Sequence, residues 1–291
     1  MAQTDVAANG LATEATATGV PRQVVRFARA DDQGPLAWSS AGAASNPPLI
    51  KTANWLSHLE LDWEAPIWSP LFHDLTRTFR FIRYDGRGCG LSAREVPQVS
   101  FETMVSDLER VVDAAGLERF PLLGVSEGAC IAIEYAARHP ERVSHLILFG
   151  SFAAGWRHIA TPEERREHEA LMVLTEAGWE RDNPCYRGLF SRSFMPDANS
   201  EELSWFDEFQ RHTTSPTNAV RLLDAVSRID YSSASAKINL ALAEPPKFTC
   251  MPEGGVGPNQ TSTEPSALAC QSPDRAADCI GSRLEASSRV R

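Results

Sequence analysis

The run FPLLGVSEGACIAIEYAARHP, residues 120–140, constrains this chain more than any other stretch. FPLLGV has the apolar, short character of a buried strand. Ala129, Ile131, Ala132, Tyr135 and Ala136 then recur as a helical run that Pro140 stops. Between strand and helix stands G-x-S-x-G, with Gly124 and Gly128 flanking Ser126. Two residues without a side chain let the chain turn sharply and leave the serine at the apex, clear of its own backbone. A helix that starts at Glu127 aims its positive end at any negative charge developing there. The same pentapeptide can be only a tight glycine turn, but the strand before it and the helix after it favour a nucleophile turn.

Further segments extend the pattern. Residues 22–42 read as two strands about an Asp-Asp-Gln-Gly turn. PPLIKTA (47–53), FRFIRYD (79–85) and VSHLILFG (143–150) read as strands. Phe101, Met104, Val105, Leu108, Val111, Val112 and Ala115 share one helical face, with Ser100 as N-cap. Strands alternating with helices build a mostly parallel sheet covered on both faces. We therefore expect an α/β core over 22–155. From 156 to 229 the chain reads as several short helices, a candidate lid, with TPEE at 161–164 as a capping box and Ser215-Pro216 opening another helix. The lid aromatics, Trp156, Trp179, Phe190, Phe194, Trp205, Phe206 and Phe209, serve most simply as packing. Residues 230–291 have little periodicity and a composition that leans towards disorder. Residues 1–21 read as a flexible leader.

Charge and composition exclude several classes. A formal net charge of −10 over 291 residues lacks the basic stripe of a nucleic-acid binder and does not favour an anionic membrane surface. No apolar run is long enough to span a bilayer, and the leader lacks the basic start and apolar centre of a signal peptide, so a cytoplasmic protein is expected. The six cysteines form no CxxC pair, so no metal site is expected; Cys89 and Cys130 read as packed thiols. GRGCG, 86–90, is spaced G-x-G-x-G and opens no helix, so it reads as a turn after a strand rather than a dinucleotide loop.

Three landmarks together resemble the α/β-hydrolase superfamily: YDGRGCGLS (84–92), GVSEG (124–128) and YAARHPERVSHLILFG (135–150). More narrowly, KTANWLSHLELDWEAPIW, 51–68, is similar to a bacterial group with KxANWLxHLExDWExPxW in place of the usual His-Gly loop, whose members also occur fused to cyclase or transcription-regulator domains. The resemblance implies an α/β-hydrolase fold with a helical lid. It makes Ser126 the nucleophile, the Glu127 N–H one oxyanion donor, and Trp55 the position of the second, with Asn54 as a possible side-chain donor. It implies hydrolysis of a small acyl substrate (an ester, thioester, lactone or C–C acyl bond) through an acyl-serine intermediate, with no cofactor. The alternative is a non-catalytic module that binds a small ligand beneath the lid. The oligomeric state is left open.

One part departs from the pattern. The superfamily places an acid after the seventh strand and a histidine after the eighth, yet the last histidine of this chain is His212, inside the lid. His58, near the oxyanion loop, is the most interesting substitute, though each of the seven histidines reads more simply as a surface or packed residue. The C-terminal strands are therefore expected to be missing and the triad incomplete. Back-translation of AEPPKFTCMPEG, 243–254, in a neighbouring frame admits Arg-Ala-Pro-x-Val-x-Leu-His-Ala-Arg-Gly, which suggests that the tail from about Tyr231 is read out of frame.

Overall fold

A computed structural model describes residues 21–28, 34–152, 154–181, 191–192, 194–230, 247–251 and 269–270, the last two stretches by their backbone pairing. The strands are β1 (Gln23–Ala28), β2 (Leu36–Ala41), β3 (Pro48–Lys51), β4 (Arg80–Tyr84), β5 (Phe120–Val125), β6 (Val143–Phe149), β7 (Lys247–Met251) and β8 (Ala269–Cys270). They form one sheet in the order β1-β2-β4-β3-β5-β6-β7-β8. β1, β2 and β4 pair antiparallel; β4, β3, β5, β6 and β7 run parallel; β8 turns back antiparallel. The helices are α1 (Leu61–Glu64), α2 (Ser69–Thr78), α3 (Phe101–Ala114), α4 (Glu127–Arg138), α5 (Trp156–Ile159), α6 (Pro162–Gly178), α7 (Ser200–Thr213) and α8 (Pro216–Ser227).

The strands read from sequence through β6 are present, although β3 ends at Lys51 and releases Thr52 and Ala53 into a loop. Ser100 caps α3, accepting from the Thr103 N–H. Thr161 and Glu164 close the expected capping box on α6, and Ser215 caps α8 ahead of Pro216. The α1 and α2 helices were not anticipated. α1 is a single turn, and α2 opens at Ser69-Pro70 and buries Phe72, so neither gave a long periodic signal.

The main core lies between α3, α4 and one face of the sheet, around Val105, Leu108, Phe120, Leu122, Ile131 and Tyr135. A smaller cluster on the other face joins Leu49, Phe72 and Phe81 to Trp63. α8 reaches the main core through Ala225, with Leu222 and Val226 packed against it. A third cluster places Trp179, Phe206 and Phe209 against Leu56, Cys89 and Ala219. These aromatics pack, as their simplest reading held. Phe190 lies outside the described residues. Cys89 and Cys130 are free, buried thiols, and burial pushes both up to about 12.

The far edge of the sheet differs from expectation. No C-terminal strand was expected, yet KFTCM runs parallel to β6, in register from His145↔Lys247 to Phe149↔Met251. β8 pairs with it in turn. The physical reason is the edge itself: an uncovered β6 presents a row of backbone donors and acceptors, and five residues with Phe and Thr among them suffice to pair with it. So short a run gives almost no periodic signal. The rest of the tail, and the leader through residue 20, lie outside the described residues.

Candidate active site

β5 delivers Ser126 into α4 at φ 53 and ψ −128. Among the described residues only one other non-glycine, Leu56 at φ 45, has a positive φ. Backbone held in such regions costs of order 1–3 kcal/mol and persists where the surroundings over-determine it. They do so here. The Ser126 N–H donates to the Phe149 carbonyl at 2.9 Å, and its carbonyl accepts from the Ala129 N–H at 2.9 Å. A Cβ on Gly124 would lie 2.5 Å from Ala129 Cα. A Cβ on Gly128 would lie 2.5 Å from Thr52 Oγ1 and 2.7 Å from the Ala53 carbonyl. Both glycines are thus required by close approach of backbone.

The loop after β3 is clasped to this turn. Thr52 donates through its N–H to the Leu123 carbonyl at 2.9 Å. Its hydroxyl donates to the Gly128 carbonyl at 2.8 Å. Asn54 and Trp55 follow at once and line the same cavity as Glu127 and Ile131 of α4. The Trp55 ring meets Trp179 edge-on at 6.2 Å and stacks on Phe194 at 6.4 Å, tying this loop to the helical segment that follows β6. Further along, Ser57 Oγ accepts from the Gly86 N–H at 3.1 Å. Asp85 Oδ2 accepts from the N–H groups of Leu59 and Leu91 at 3.2 and 2.8 Å.

Glu127 is the first residue of α4, so no intrahelical carbonyl accepts its N–H. Its carboxyl is buried, and burial raises its pKa; its own N–H, the Ser126 hydroxyl and Lys51 oppose that rise. Lys51 is driven down to about 8 by burial, with Asp62, Glu127 and Asp85 pulling it up and Arg83 pushing it down. Burial lifts Asp85 to about 8.

Beside the turn lies a cavity of about 40 Å³ whose lining includes Asn54, Trp55, Tyr84, Arg87, Glu127 and Leu222; Ser126 is not part of it. Arg87 forms a fork on Asp107, with Nε–Oδ2 at 2.9 Å and Nη2–Oδ1 at 2.6 Å. Asp107 and Lys51 were missed in the sequence. Asp107 carried a signal, since it stands three residues after Met104 and four before Val111, on the apolar face of α3. A charge there must find a buried partner.

Each of the seven histidines is engaged away from Ser126. The Leu61 N–H donates to His58 Nδ1 at 3.4 Å. His73 bonds the Trp63 carbonyl, His139 pairs with Glu109, His145 with Ser144 and His158 with the Arg228 carbonyl. His168 stacks on Trp156 and His212 faces Glu208. Burial, then Arg94 and His212, hold His58 down at about 4. Among the described residues no histidine, cysteine or carboxylate group is arranged to hold a metal, and no helix is long and apolar enough to cross a membrane.

The fold and the turn define a hydrolase framework, and comparison with known proteins agrees. A family model for the α/β-hydrolase fold matches residues 58–235. The chain belongs to the α/β-hydrolase fold family. A Klebsiella pneumoniae (strain 342) protein provisionally named carbamate hydrolase RutD is 29% identical over 171 residues, covering 56% of this chain and 61% of that protein. A like-named protein of Agrobacterium fabrum (strain C58) is 26% identical over 184 residues, 61% of this chain and 67% of its own length. The chain thus spans about three fifths of the first of these relatives. Among solved structures, an esterase from Exiguobacterium antarcticum aligns with TM-score 0.59 at 24% identity, over 73% of this chain and 76% of its own. The enol-lactonase of Burkholderia xenovorans LB400 aligns with TM-score 0.55 at 17% identity, over 89% and 98%. At these identities the structures share the fold.

Proposed function

We propose that the protein is a serine hydrolase of a small acyl substrate, an ester, thioester or lactone, working through an acyl-Ser126 intermediate. The observation that supports this most is the backbone of Ser126, held at φ 53 between β5 and α4. Ser126 Oγ attacks the carbonyl carbon, its proton passes to a base, and the carbonyl oxygen becomes an oxyanion. The Glu127 N–H and the loop at Asn54 and Trp55 receive that charge. The leaving group departs with a proton, and water then releases the acyl group. No cofactor enters these steps. The reading includes a cytoplasmic location, a core over 22–155, a lid over 156–229 and a tail over 230–291.

The base is the weak point. With none of the histidine rings hydrogen-bonded to Ser126, turnover is expected to be slow, close to the remnant that an oxyanion hole and binding alone provide. The same observation favours a second reading, a non-catalytic module that holds a small ligand beneath the lid. A fluorophosphonate probe separates the two. Covalent labelling that falls at least about 100-fold in Ser126→Ala supports the hydrolase. No labelling, with an acyl compound still bound tightly, supports the binding module.

A further inference from the structure

Lys51 ends β3 with its side chain buried, 8% exposed. Its Nζ donates to the Thr52 carbonyl at 3.1 Å and, in a close contact, to Asn54 Oδ1. An ammonium has donors and no acceptor, so Asn54 must offer it oxygen. That fixes which way the amide lies: Oδ1 faces Lys51, and the Nδ2 donors are turned away from it. Asn54 also lines the cavity that Glu127 lines. The backbone around this contact is pinned on both sides, by Thr52 on the Gly128 carbonyl and by Ser57 on Gly86.

A buried ammonium is costly and is retained where hydrogen bonds and opposite charges compensate it. When ionised, Asp62 is the largest charge favouring the ammonium, with Glu127 adding to it, while Arg83 opposes it. An apolar side chain could fill the same space at the end of β3 without this compensation. What the lysine adds is the fixed direction of the Asn54 amide, two residues before the positive-φ Leu56 and beside Gly128 in the first turn of α4.

We propose that Lys51 is a positioning residue for acyl transfer: it orients Asn54 so that Nδ2 donates to the oxyanion formed at the Ser126 adduct. This rests on the reading of Ser126 as nucleophile. The test is the rate at which a fluorophosphonate labels Ser126 in the full chain. Asn54→Asp keeps an acceptor for Lys51 but removes the donor, and is expected to slow labelling about 100-fold. Lys51→Met is expected to slow it at least about 10-fold, and Lys51→Arg to restore part of the rate. The double variant Lys51→Met with Asn54→Asp is expected to be no slower than Asn54→Asp alone, because the lysine acts through the amide.

Melting curves establish that each variant is folded. Should Lys51→Met not fold, Asn54→Asp still decides, since wild-type labelling in that variant overturns the proposal. Equal slowing by Lys51→Met in the presence and absence of the Asn54 amide also overturns it, showing a merely structural lysine. An unlabelled wild-type chain overturns the nucleophile reading and this proposal with it. A labelled wild type with indifferent variants overturns the proposal alone.

Discussion

Two flanks of β5 are held in different ways. On the β3 side, side chains and backbone interlock: the Thr52 hydroxyl grips Gly128, Lys51 grips Asn54, and both glycines of the turn sit against neighbouring backbone. On the β6 side, the sheet continues into β7 and β8 through short ladders of backbone pairs, five and two residues long. The resemblance to α/β hydrolases implies that the acid and base are expected beyond the β6 flank, whereas the serine turn is held on the β3 flank. A nucleophile turn can therefore be complete within segments close to it, while its partners depend on strands that the chain reaches only much later.

The largest test of the tight flank is Gly128→Val. The new Cβ meets Thr52 Oγ1 and the Ala53 carbonyl at 2.5 and 2.7 Å. We expect at least about 3 kcal/mol of destabilisation in urea melts and loss of Ser126 labelling. A variant that labels normally breaks the claim that the clasp fixes the turn.

Ending the chain after Asp230 tests the other flank. Bare β6 exposes an unpaired edge, so we expect about 2 kcal/mol of lost stability and concentration-dependent association on gel filtration. Labelling of Ser126 is expected to change less than about threefold, because nothing gripping the turn is removed. If labelling disappears, the two flanks are not separable.

The smallest effect concerns pH. His58 is held neutral, at about 4 in the folded chain against 6.5 in the unfolded one. Between these values the unfolded state binds the extra proton. The contribution to stability is therefore full above pH 6.5 and is lost as pH falls through about 4. The expected size is about 1 kcal/mol, the smallest of the three effects. Melts of wild type and His58→Gln are expected to converge towards pH 4 and separate above 6.5, with wild type the more stable; parallel curves remove His58 as a source of acid sensitivity.

Legibility in the sequence followed the range of the interactions. The β5–turn–α4 unit was readable because its signals lie within one short run: apolar strand, two glycines, helical periodicity and Pro140. The caps at Ser100, Thr161 and Ser215 were readable for the same reason. β7 was not, because five residues next to an open edge carry almost no pattern. The Arg87–Asp107 fork was half readable: Asp107 on an apolar face demanded a partner, but only packing could say that Arg87, twenty residues earlier, supplies it.

The sequence by itself determined that Ser126 stands between a strand and a helix, with room made for it by Gly124 and Gly128. Local sterics and periodicity need no distant partner. Tertiary structure decided what surrounds that serine. It set Lys51 against Asn54, buried the Glu127 carboxyl, and drew all seven histidines to partners elsewhere. Those outcomes depend on which strands become neighbours, and burial, not sequence spacing, sets the charge each group carries there.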